Sequence, residues 1–305
     1  ILGAALLAPY FIKDFGVPKG IWYSVFHSIS AFCNAGFDLL GAKEPFSSLT
    51  SYSARPFLNI TVMALIIIGG IGFLTWEDIK KNRFHFRKYR MQSKVILTAS
   101  AILIIIPALY FFFFEYSALP AKERVLTSLF QSVTTRTAGF NTTDLSDFSE
   151  TGQMLTILLM VTGGSPGSTA GGMKTTTIVV LAVSAFSVFS RKENAQVFKR
   201  RISDNTVKNA ATIFLMYIVL FVGGGMIISR IENIPLLTCL FETASAIGTV
   251  GLTLGITTQI GMISRFILIL LMFFGRVGGL TLVFAATKAL VSNENKYPQE
   301  KITVG

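Results

Sequence analysis

Long uncharged runs, rather than amphipathic stripes, dominate the hydrophobic pattern of this 305-residue chain. A bilayer core about 30 Å thick needs roughly 20 apolar residues of helix. Runs near that length extend from Phe57 to Trp76, Val95 to Phe114, Ala210 to Ser229 and Phe266 to Thr287, and each predicts a membrane-spanning helix. A shorter run, Ile1 to Ile12, opens without a start Met and reads as the end of a truncated helix. The apolar stretch from Met154 to Ser190 would reach about 55 Å as one helix, so it must be interrupted. Glycines, a proline and hydroxyls supply the break, at Gly163, Gly164, Ser165, Pro166, Gly167, Ser168, Thr169, Ala170, Gly171 and Gly172.

Composition agrees with a membrane protein: 51% of residues are hydrophobic and only 14% charged. The net charge of +11 is concentrated rather than spread. Seven Lys or Arg lie between Glu77 and Lys94 and six between Arg191 and Lys208, while 141–153 carries three acids and no Lys or Arg. Such asymmetry places the two basic loops in the cytoplasm and argues against nucleic-acid binding. Residues 21–56, 115–153 and 230–265 then lie outside. Cys33 and Cys239 show no ligand spacing and read as packing residues.

The three outer segments share a pattern: Phe26 to Asp38, Phe130 to Asn141 and Phe241 to Thr253. Each has a Phe, a Ser/Thr-rich run, a small residue, one Gly, an apolar residue and then a polar one. The glycines, Gly36, Gly139 and Gly251, recur at intervals of a little over a hundred residues. Each run is too short to span and too apolar for an exterior loop, which predicts a short helix that dips into the bilayer and returns as extended chain. Non-helical backbone at that depth must be buried or line a watery path. Glycine turns can aim carbonyl oxygens at an axis, carbonyl rings replace a cation's hydration shell, and helix C-termini favour positive ions. The fold expected is therefore an all-α membrane protein of repeated helix, pore-loop, helix units around a central pore.

The sequences Asn34, Ala35, Gly36, Phe37; Thr137, Ala138, Gly139, Phe140; and Thr249, Val250, Gly251, Leu252 resemble the filter loops of the Trk/Ktr/HKT potassium transporter superfamily. The likeness is greatest to its KtrB-type bacterial membrane subunits. It implies a K+ filter at these residues, with one glycine per repeat. The second to fourth repeats would then occupy 1–94, 95–208 and 209–305, with the first absent from the chain. It also implies that 163–172 is an intramembrane gate loop and that Arg276 lies near the pore as a positive barrier, donating to loop carbonyls. Further implications are a homodimer in a bacterial cell membrane and a KtrA-like cytoplasmic ring, on which alone nucleotide (ATP or ADP) would bind. The basic loops suit contact with that ring or with anionic lipid headgroups.

Other readings compete. Gly167 to Gly172 approaches a phosphate-binding loop, but Met173 stands where Lys is required and Lys174 comes one residue late. No residue set offers a nucleophile and base, so no enzyme is expected. A secondary transporter with broken helices would need inverted repeats, whereas these three loops share one side. Arg136 and Glu242 are expected to pair and brace the filter, His27 to be a packing residue, and Asp38 either to gather cations or to be solvated.

Overall fold

A computed structural model describes residues 1–42, 47–83 and 85–278. Among them the chain is mainly helical. The elements are α1 (Leu2–Phe15), α2 (Val17–Phe32), α3 (Pro56–Gly70), α4 (Phe73–Asn82), α5 (Met91–Tyr110), α6 (Ala121–Thr134), α7 (Glu150–Val161), α8 (Thr175–Phe189), α9 (Asp204–Glu232), α10 (Leu236–Gly248) and α11 (Met262–Val277). A two-residue ribbon pairs β1 (Gln196–Val197) with β2 (Arg200–Arg201). Helix starts follow local chemistry: Pro56 opens α3, and the Ser149 and Ser203 hydroxyls cap α7 and α9 by accepting from Gly152 N and Thr206 N.

Residues 91–115 and α9 are each long and apolar enough to cross a membrane. The run at 57–76 is not one straight helix: α3 ends at Gly70, and α4 leaves at 98°. Gly72 sets this corner with φ of 89°, and Phe73 N donates to the Gly167 carbonyl across it. The 154–190 stretch divides into α7 and α8 around a non-helical segment, 162–174. Helix α11 covers the start of the last apolar run, whose remainder from 279 lies outside the described residues.

Polarity is inverted relative to a water-soluble domain. Ile102, Ile105, Ile106 and Leu109 on α5, Leu215, Val219 and Met226 on α9, and Phe266, Ile269 and Phe273 on α11 are exposed. Gln131, Ser132, Thr134, Thr243 and Glu242 are buried. Exposed aliphatic surface on this scale suits hydrocarbon, not water. Two apolar clusters fill the interior, one around Phe11, Phe130 and Phe140 and the other around Met160, Phe241 and Ile247. Helix α10 packs against α7, α9 and α11, and α6 against α3 and α5. At the basic end, Asp78 is buried and accepts from Ser93 Oγ (2.6 Å) and Arg90 N (3.0 Å), while Phe86 meets Phe198 edge-on at 6.1 Å, joining the two basic loops.

Helix α5 carries Pro107 and then a wider π-turn at Phe111–Glu115. Proline has no N–H, so the Leu103 carbonyl one turn earlier loses its usual donor. Ser132 of α6 compensates, its hydroxyl reaching Ile104 O at 2.7 Å and Leu103 O at 3.3 Å. Arg124 does the same at the π-turn, donating to the Phe112 and Phe113 carbonyls and covering the Phe112 ring at 4.2 Å. Ser132→Ala should therefore lower stability by about 1–3 kcal/mol, the usual cost of orphaning a buried acceptor. In a Pro107→Ala background, where the helix regains its own N–H, the loss should shrink; thermal unfolding of the four variants in detergent measures the coupling, and equal losses would refute the compensation.

Candidate functional site

Helices α2, α6 and α10 each end in a turn with one backbone signature. The residue two before the glycine, and the glycine itself, have positive φ: Asn34 50° and Gly36 70°, Thr137 70° and Gly139 79°, Thr249 52° and Gly251 93°. The intervening Ala35, Ala138 and Val250 do not. A non-glycine residue held in that region costs about 1–3 kcal/mol and persists only where its surroundings impose it. Here hydroxyl residues near the helix ends impose it. Ala35 N donates to Ser30 O (2.9 Å), and the Ser30 hydroxyl donates to Phe37 O (2.7 Å). Ala138 N donates to Thr134 O (3.0 Å), and the Thr134 hydroxyl donates to Phe140 O (2.6 Å). Val250 N donates to Ser245 O (2.9 Å), while the Ser245 hydroxyl accepts from Gly251 N (3.1 Å).

The three turns lie side by side. A Cβ on Gly36 would collide with the Ala138 carbonyl oxygen and stand 3.2 Å from Gly139 Cα. A Cβ on Gly139 would collide with the Val250 carbonyl and stand 3.6 Å from Gly251 Cα. The order is therefore Gly36, Gly139, Gly251, the first two glycines each packed on the next turn's backbone. The edges of this row differ from its middle. A Cβ on Gly251 would meet no described atom within 4 Å, and Phe37 is 71% exposed where Phe140 and Leu252 are 0% and 3%.

Beneath the row runs segment 162–174. It is pinched closed by Gly163 N to Met173 O (2.7 Å) and Gly164 N to Gly171 O (3.4 Å). Side chains at Gly163 or Gly164 would collide with the returning strand. The segment is stitched to several neighbours. Ser165 N and Thr169 N donate to Gly70 O and Gly69 O at the end of α3, and Gly172 N donates to Gly275 O in α11. The Thr169 hydroxyl lies 3.0 Å from Phe32 O and 3.1 Å from Asn34 Oδ1, touching the Gly36 turn. A Cβ on Gly171 would collide with Thr249 Oγ1, so the far side touches the Gly251 turn. The segment thus contacts the turns on either side of Gly139.

Two cations hold consecutive carbonyls of this segment: Arg276 Nη1 donates to Thr169 O (2.8 Å) and Lys174 Nζ to Ala170 O (2.7 Å). Lys174 reaches back to its own loop, a contact that the phosphate-loop comparison gave no reason to expect. The expected Arg136–Glu242 pair does not form. Arg136 is buried and donates from Nη2 to Ser100 Oγ (3.1 Å), and its Nε finds no partner among the described residues. Glu242 accepts from Thr253 Oγ1 (2.6 Å), Leu254 N (3.0 Å) and Thr257 Oγ1 (2.7 Å), tying down the chain after Gly251. Arg136 follows α6 and Glu242 lies within α10, and each turns to nearby hydroxyls instead of to the other.

His27 is buried with its ring stacked 4.8 Å from Phe11, its Nδ1 2.7 Å from Tyr23 O, and it faces Phe140 at 6.4 Å. Asp38 accepts from Leu40 N (2.9 Å) and Gly41 N (3.3 Å), a local turn. On the acidic 141–153 loop, the Ser146 N–H and hydroxyl hold the Asp144 carboxyl below the usual carboxylate range. Neither cysteine forms a disulfide.

A family model described as TrkH, cation transport protein, matches residues 1–297. The chain belongs to the TrkH cation transport family. Among its relatives, a potassium/sodium uptake protein NtpJ of Enterococcus hirae is 41% identical over all of this chain and 69% of its own length. A Ktr system potassium uptake protein B of Bacillus subtilis is 35% identical, over all of this chain and 68% of its own. The crystal structure of the potassium transporter TrkH from Vibrio parahaemolyticus superposes with a TM-score of 0.74 at 19% identity, covering 93% of this chain and 62% of that one, and so shares the fold. This TrkH-family chain thus spans roughly two thirds of the relatives it matches.

The close packing of the turns yields a contrast between two glycines of this TrkH-family chain. Gly139→Ala should cost about 1–3 kcal/mol, because a neighbouring carbonyl must move and φ is positive. Gly223→Ala, in α9 with nothing within 4 Å, should be neutral or stabilising by about 0.5–1 kcal/mol. Unfolding midpoints in detergent compare them; equal shifts would contradict the packing.

Proposed function

We propose that the chain is the channel-like membrane subunit of a potassium uptake system, in which K+ moves passively or coupled to another ion past the three glycine turns. The observation that carries this reading is the row of turns, with Gly36 and Gly139 each against the next turn's carbonyl. Asn34 to Phe37, Thr137 to Phe140 and Thr249 to Leu252 are the filter segments, and α2, α6 and α10 point their negative C-terminal ends at them. The names of the relatives, potassium/sodium and Ktr potassium uptake proteins, support potassium as the cargo. Residues 1–94, 95–208 and 209–305 form three helix, pore-loop, helix repeats. A further repeat, outside this chain, closes the ring between the exposed Phe37 and the open side of Gly251.

Segment 163–172 is the gate. It contacts the turns flanking Gly139, so it crosses below the ion path, and the glycine-only pinch lets it fold there without side chains in the way. Arg276 and Lys174 anchor it and set two positive charges against a passing cation. The subunit is a multi-pass protein of a bacterial cell membrane and forms a homodimer. A KtrA-like ring docks on the basic side and carries the only nucleotide; this chain holds no cofactor and acts as a transporter, not an enzyme.

Potassium uptake into a transporter-deficient strain tests the reading on the full-length protein. Gly251→Ser, at a glycine with φ of 93°, should cut uptake at least about tenfold or erode preference over Na+. Arg276→Ala should raise or deregulate flux by about tenfold or more, the effect of losing one charge-assisted bond worth about 1.5–3 kcal/mol. Wild-type transport in both would sink the assignment.

A further inference from the structure

A crevice of 580 Å³ lies between α5, α8 and α9 on the basic side of the protein. Its walls are mainly apolar, with Val95 from α5, Val179 and Val180 from α8, and Ala210 and Ile213 from α9, interrupted by Gln92 and Asn209. Its inner end reaches Pro166, at the tip of the 162–174 segment, with Thr176 and Thr177 beside it. Its outer end is polar, at Arg201 and Ser203. Those two residues also line a second hollow of 450 Å³, completed by Asp204 and Asn205 at the N-terminus of α9. A greasy slot and a polar hollow therefore share one rim.

We propose that this paired cavity binds an anionic phospholipid of the surrounding bilayer, with an acyl chain in the slot against Pro166 and the phosphate at Arg201. Three features select that occupant. The helix faces beside the slot are exposed and apolar, with Phe186, Val188 and Phe189 on α8 and Phe214 and Leu215 on α9, so its mouth opens onto hydrocarbon. The rim has the Arg201 cation and the positive dipole end of a 29-residue helix, where Ser203 already takes Thr206 N, so that the charge of Arg201 and the dipole suit phosphate. Arg201 already faces Asp204 at 3.5 Å, but the pair is exposed and weak, and the 191–208 loop carries six basic residues against two acids. A free anion would use only the hollow and leave the slot unexplained.

The slot has a wall at Pro166 only while the 162–174 segment lies where it does. A ligand stabilises the state that presents its site, so the lipid favours the obstructing position of the loop. This consequence rests on the gate reading above; the binding site does not.

The test uses the full-length protein in its complete assembly. Native mass spectrometry after exchange into phosphatidylglycerol or phosphatidylcholine measures retention, and potassium flux is measured in vesicles of each lipid. Phosphatidylglycerol should be retained about fivefold or more in preference, within the usual range of such couplings. Arg201→Gln, at an exposed side chain, should remove most of that preference, and Ile213→Trp should displace the lipid by filling the slot. Flux should be several fold lower in phosphatidylglycerol vesicles, and Ile213→Trp should make it insensitive to the lipid. Equal retention of both lipids, unchanged retention in both variants, or displacement by inorganic phosphate alone would overturn the site. Retention that follows Arg201 and Ile213 with flux indifferent to lipid would keep the site and sink the gate reading instead.

Discussion

Backbone that leaves helical geometry inside hydrocarbon has no water to bond with, and this demand organises the whole structure. Among the described residues, the three turns, the α5 kink and the 162–174 segment have acquired donors and acceptors for their freed backbone. At the three turns these are the backbone and hydroxyls of Ser30, Thr134 and Ser245. At the kink of α5 they are Ser132 and Arg124, and in the 162–174 segment they are the carbonyls of Gly69, Gly70 and Gly275. The hydroxyls and amides buried among the apolar clusters follow from the same requirement.

Charge is distributed with equal economy. Among the described residues Glu242, Arg136, Arg276 and Lys174 are met by dipoles rather than by an opposite ion, whereas buried Asp78 also faces Arg90. Glu242 is held by two hydroxyls and an N–H, Arg136 by a serine, Arg276 and Lys174 by carbonyl oxygens. Burying a full ion pair demands near-perfect geometry to offset desolvation, whereas dipoles of this kind are already abundant at helix ends and turns. The described ion pairs, Arg90 with Glu77 and Asp78 and Arg201 with Asp204, lie in the basic loops.

Much of this was legible in the chain itself. Apolar length foretold α5 and α9, and the glycine cluster foretold the break between α7 and α8, because hydrophobic length and helix-breaking residues act locally. The recurrence of Gly36, Gly139 and Gly251 marked the segments that the fold brings side by side. The 98° corner after Gly70 was only half legible: Gly72 is a local breaker, but the Gly167 carbonyl that receives Phe73 N across the corner is distant in sequence. The Arg136–Glu242 pair failed for a related reason: opposite charges in corresponding segments suggest proximity, but which neighbours fill the space between is a tertiary matter. The roles of Ser132 and Lys174 likewise depend on partners that spacing alone does not reveal.

The Thr169 hydroxyl sits within bonding distance of both Phe32 O and Asn34 Oδ1. In the transport reading, one side chain belongs at once to the obstructing segment and to the mouth of a cation site. Thermodynamic reciprocity then applies: whatever loosens the segment must alter how tightly the site holds its ion, and by the same factor the resident ion must alter how readily the segment yields. The cargo would thereby take part in its own release, and external concentration would act as a signal without any separate sensor.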